Sequence, residues 1–128
     1  MTSMCKATTR VFPGAAVIEL SGEVDGSAAA VLTGAYKAAI AEYESAVPAG
    51  ADLGTVVLDF AAVDYINSTG IALIVSVLAL ARAERRKVVA CGLSPHYQEI
   101  FDITRLSDFI ELFPDLDDAV SQLAAQAS

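Results

Sequence analysis

Short β-branched runs alternate with stretches of helical period along most of this chain, and few architectures accommodate that alternation. Val56-Val57-Leu58-Asp59-Phe60 reads as a central strand, and Lys87 to Gly92 as another buried one. Between them a long helix is expected from about Ser68 to Arg85. Ahead of them, Lys6 to Phe12 and Ala15 to Leu20 flank the turn signal Pro13-Gly14 and form a hairpin. Ser21 to Gly26 follows as a polar turn, in which Asp25 or Ser27 is placed to cap a helix. That helix, Ala28 to Ala46, carries Leu32, Tyr36, Ala39, Ile40 and Tyr43 on one face. Ser94-Pro95 starts a short helix and Phe109 to Phe113 is a last strand. Pro114-Asp115 then opens a C-terminal helix bearing Leu116, Ala119, Val120 and Leu123. The order β-β-α-β-α-β-α-β-α implies an α/β fold with a mixed, mostly parallel sheet covered by helices. With 128 residues, one domain spanning 1–128 is the natural count, and Val47 to Thr55 reads as a surface loop within it.

Composition excludes several classes of function. Hydrophobic residues make up 55% and charged residues 19%, too apolar for a disordered tail. A net charge of −8 repels phosphate backbones, so no nucleic acid is expected as a partner. The basic cluster Arg82, Arg85, Arg86, Lys87 ends the long helix, where positive charge suits the dipole. The start is too polar for a signal peptide, and the longest apolar run, Ile71 to Ala81, is about half a membrane span. Cys5 and Cys91 are too few for a disulfide scaffold, so a reduced, cytoplasmic setting is expected. Cys91 reads as a small filler in a buried strand and Cys5 as an exposed residue near the terminus. His96, the lone histidine, has no ligand cluster around it, and there is no Walker loop or G-x-G-x-x-G; neither metal nor cofactor is expected.

The informative stretch is Val56 to Gly70, VVLDFAAVDYINSTG. The strand is expected to end near Phe60, a short loop to cross its carboxyl end, and Asn67-Ser68-Thr69-Gly70 to open the long helix. Functional groups of open α/β sheets gather at that edge, and a helix N-terminus favours an anion. Ser68 thus presents a hydroxyl where an attached phosphate could be held; equally, Asn67 or Ser68 is an ordinary helix cap. Gly70 would let another chain approach closely. Asp59 and Asp64 bracket the loop and read as cap and turn residues more readily than as an acid/base pair. On the long helix, Ile74, Val75, Leu78 and Ala81 are assigned to the sheet. Leu73, Val77 and Leu80 are assigned to an outer apolar strip, suited to docking or self-association into a homodimer unless the C-terminal helix folds over it.

The chain resembles a STAS domain of the anti-sigma-factor antagonist family, nearly end to end. The resemblance rests on Leu20-Ser21-Gly22-Glu23-Val24-Asp25, the strand Val56 to Phe60, Tyr65-Ile66-Asn67-Ser68-Thr69-Gly70-Ile71, and Ser94-Pro95 ahead of Ile100-Phe101-Asp102-Ile103, in the family's order and spacing. It implies a cytoplasmic, non-enzymatic switch. The unmodified form would bind an anti-sigma factor serine kinase and release its target, phosphorylation would abolish binding, and a PP2C-type phosphatase would restore it. By position the acceptor is Ser68, with Thr69 its neighbour. Glu23 and Asp25 fall where the family presents acids to the kinase, beside Asn67, Ser68, Thr69 and Gly70. Asn67 stands where the family usually has Asp, which removes a negative charge beside the acceptor, and Arg105 stands at a helix end where Gly is common. The alternative is an unphosphorylated accessory domain docking on a transporter ATPase. An esterase-like use of Ser68 with His96 lacks any oxyanion motif.

Overall fold

The computed structural model of the protein describes residues 4–48 and 54–127; most of the loop expected over Val47 to Thr55 lies outside them. The elements are β1 (Lys6–Phe12), β2 (Ala15–Val24), α1 (Ala29–Ala46), β3 (Thr55–Ile66), α2 (Ser68–Ala83), β4 (Lys87–Cys91), α3 (Pro95–Ile103), β5 (Glu111–Phe113) and α4 (Leu116–Ala127). The strands stand in sequence order, β1 antiparallel to β2 and every later pair parallel. This is the expected α/β order.

The central strands read as continuous apolar runs because both faces of the sheet are covered. Ile18, Leu20, Val56, Leu58, Val88 and Ala90 belong to one core with the inner faces of α1, α2 and α3. The alternate residues, Ala15, Val17, Val57, Val89 and Cys91, lie under Ala119 and Leu123 of α4. Each large side chain so enclosed is worth about 1.5–3 kcal/mol against exposure. Beyond the far end of α2, Tyr36 donates its hydroxyl to Glu84 at 2.7 Å, and Arg86 reaches Glu84 at 3.3 Å and Glu44 at 3.7 Å, locking α1 to the turn that leaves α2.

Several expectations are corrected. Ser21 to Val24 is strand, not turn, and β3 runs on to Ile66 instead of ending near Phe60. The two extensions pair with each other, and the register slips twice, between Glu19 and Ser21 and between Gly22 and Glu23. Such bulges break the alternation by which a strand is read. Phe109 and Ile110 precede β5, with Phe109 exposed and Ile110 buried. Cys5 is buried in the helix-covered core, not exposed. On α2 the inward row is Gly70, Ile74, Val77 and Ala81, with Leu73, Leu78 and Leu80 packed beside it. Val75 instead is 45% exposed. Val77 is buried and Leu73 and Leu80 are only partly exposed, so these three do not form the outer strip assigned to them. The face left outside is Ala72, Val75, Ser76 and Ala79. Nor does α4 fold over it, since α4 covers the opposite side of the sheet.

Candidate functional site

The site is a corner where β2 and β3 end together. Asn67 is extended, with φ −94° and ψ −179°, so its side chain turns back over the first turn of α2 and Oδ1 accepts the Gly70 N–H at 2.8 Å. The Asn67 N–H donates to the Val24 carbonyl at 3.2 Å and its own carbonyl accepts from Ile71 at 3.0 Å. Capping is thus done by Asn67, and the hydroxyl of Ser68, the first helical residue, is not spent on it. Ser68 and Thr69 are both exposed. Gly70 is not: a Cβ there would lie 2.0 Å from the Val24 carbonyl oxygen. The approach of another chain expected at Gly70 is corrected: the space is closed by this chain's own strand end.

Asp25 follows Val24 and caps a short 3-10 turn, Gly26–Ala28. Its carboxylate accepts from the Ser27 hydroxyl at 2.5 Å and the Ser27 N–H at 2.9 Å. Those bonds hold the Asp25 carboxyl below the usual carboxylate range, so it is charged at neutral pH. The turn lies against Thr69, whose methyl would be 3.3 Å from a Cβ at Gly26. Asp25 and Ser68 therefore belong to one packed unit. Glu23, half-buried, pairs in register with Tyr65 on β3, and Asp64 beside it is exposed. The corner is acidic, with a bare hydroxyl at its helix start.

Other candidates are not brought together. The Asp59 carboxylate is 8% exposed and accepts from Ala61 N–H at 3.0 Å, while Asp64 stands in solvent; they form no acid/base pair. His96 is exposed with its ring edge-on to Tyr97 at 5.0 Å, and no bond joins it to Ser68 among the described residues. Among the described residues no group of His, Cys, Asp and Glu could hold a metal ion, and no helix is long and apolar enough to cross a membrane. Two features were not read from the sequence. Tyr65 is 50% exposed at the rim, and the Tyr97 hydroxyl accepts the Ile66 N–H at 2.9 Å. The first follows from the bulges, which no periodicity announces; the second joins residues far apart in the chain and leaves no local signal.

The STAS domain family matches residues 6–119. A Bordetella bronchiseptica protein named as an anti-sigma factor antagonist, BtrV, is 37% identical over 95 residues, covering 72% of this chain and 79% of the relative. The crystal structure of an anti-sigma factor antagonist from Mycobacterium paratuberculosis superposes with a TM-score of 0.70 at 22% identity, covering 96% of this chain and 98% of the other. The Bacillus cell fate determinant SpoIIAA in its phosphorylated form shares the fold at a TM-score of 0.63 and 19% identity, over 91% of this chain and 98% of the other. With the strand order, the capped α2 and the match along most of its length, this chain belongs to the STAS domain family, among the anti-sigma factor antagonists.

Proposed function

We propose that this protein is a phosphorylation-controlled binding module in a partner switch. Its unmodified form binds an anti-sigma factor that is also a serine kinase, and phosphorylation of Ser68 releases it. The observation that carries the reading is the division of labour at the start of α2: Asn67 takes the cap, leaving Ser68 exposed with a free hydroxyl at the positive end of a sixteen-residue helix.

In the reaction, Ser68 Oγ attacks the γ-phosphorus of ATP held by the partner, the bond to ADP breaks, ADP leaves with the electron pair, and the hydroxyl proton passes to a base of the kinase. The product carries about −1.5 to −2 charges at that position. The helix dipole offsets part of this within the domain. Against a partner already facing Asp25, Glu23 and Asp64, the added charge must be desolvated at a close interface, and the complex weakens by a factor of roughly 100 or more. Hydrolysis by a PP2C-type phosphatase returns the hydroxyl and the affinity. Asn67 supplies the cap that the family's usual Asp would supply, and departs from it in lacking the negative charge beside Ser68.

The test is incubation with a candidate anti-sigma kinase and Mg·ATP, followed by intact mass and fragment analysis. One added phosphoryl group on Ser68, absent in Ser68→Ala, is expected. Ser68→Ala should keep partner affinity, and Ser68→Asp and Ser68→Glu should weaken it. No phosphate on Ser68, with equal affinity across the series, overturns the reading and favours docking on a transporter ATPase.

A further inference from the structure

β4 leaves its neighbour early. Its last rung with β3 is Cys91 opposite Asp59, so residues 61–66 of β3 run on beside β2 alone. A strand edge without a ladder has backbone groups to satisfy, and here α3 and the loop before it take over from β4. Gly92 lies so close beneath the first bulge that a Cβ would be 2.8 Å from Ala61 N, and its φ of +75° admits little else. Phe101 meets Phe60 edge-on, ring centroids 6.1 Å apart. The third attachment is the hydrogen bond from Ile66 N–H to the Tyr97 hydroxyl. Tyr97 is itself held: the Ser94 hydroxyl accepts its N–H at 3.3 Å, and Gln98 ties the same turn to the Leu93 carbonyl at 2.9 Å. Ile66 is followed by the capping Asn67 and then by Ser68, so the bond fixes the backbone just upstream of the hydroxyl.

Building on the reading of Ser68 as acceptor, we propose that Tyr97 is a positioning residue for its phosphorylation. The hydroxyl holds the end of β3 at the height and twist from which Asn67 can cap α2 and Ser68 faces outward. It acts through the backbone of Ile66 and touches no reacting atom.

Tyr97→Phe keeps the ring and removes the bond. In the full chain, amide exchange at Ile66 and Asn67 should quicken about five- to tenfold, the size expected for one lost hydrogen bond. With the candidate kinase, kcat for phosphoryl transfer should fall about fivefold while KM stays within about twofold, because the docking surface is untouched. Leu123→Ala, in α4 on the opposite side of the sheet, serves as the control that lowers stability without touching α3 or Ile66, and its kcat should not change. Unaltered exchange at Ile66 and Asn67 in folded Tyr97→Phe overturns the proposal whether or not any kinase acts. So does an equal loss of kcat in Leu123→Ala, which would make the effect one of stability. If the wild-type chain accepts no phosphate, the acceptor reading fails on its own account, and the exchange measurement alone decides whether Tyr97 holds this segment.

Discussion

At the scale of single residues, the corner depends on contacts that tolerate little change. Asn67→Ala removes the bond to the Gly70 N–H, and urea unfolding should show a loss of about 1 kcal/mol; Asn67→Asp keeps the acceptor and adds a charge the helix start favours, so it should match or slightly exceed wild type. Gly70→Ala must displace the Val24 carbonyl, a backbone atom that cannot swing aside, and should cost roughly 1–3 kcal/mol or more. Cys91 ties stability to pH. Burial first, then the charge and hydrogen bond of Asp59, push its thiol up to about 12 from an ordinary 9.0. The folded state therefore keeps a proton the unfolded chain loses. Stability from this group is intact below about pH 9 and drains away as pH climbs toward 12, a slope that urea midpoints would reveal and that Cys91→Ala should flatten. Neither Cys91 nor the buried Cys5, whose thiol is also raised, should react with Ellman's reagent before unfolding.

At the scale of elements, α2 shows where sequence periodicity stops deciding. From Ile71 to Leu80 apolar residues point in nearly every direction, so the pattern declares a helix without choosing its inner face. Packing makes the choice: Ile74 and Val77 face the sheet, Val75 faces out. Ile74→Ala should cost about 2–5 kcal/mol. Val75→Glu should leave stability within about 0.5 kcal/mol, yet weaken partner binding at least about tenfold by calorimetry if the partner covers the face continuous with Ser68. The strands divide similarly. Val56 to Phe60 and Lys87 to Cys91 were legible because β-branched runs buried on both faces have one meaning, whereas Ala61 to Ile66 was not, because its bulges erase the alternation. Ser68 and Asp25 were legible as candidates from their local chemistry; their union through Val24 and Gly26, and the hold of Tyr97, are tertiary facts.

At the scale of the molecule, the sheet has a thick side and a thin one. Three helices contribute to one core, whereas α4 alone shelters Ala15, Val17, Val57, Val89 and Cys91. Leu123→Asp places a charge against that layer and should unfold or aggregate the protein at temperatures the wild type survives, as light scattering would report. The thick side carries α2, whose start is fixed over the strand ends of β2 and β3. A single oxygen, the carbonyl of Val24, receives the Asn67 amide and forbids a side chain at position 70. A change at position 70 is therefore felt beyond the helix: a side chain there pushes on the strand end that leads directly into Asp25, so the acidic turn and the start of α2 answer to the same atom.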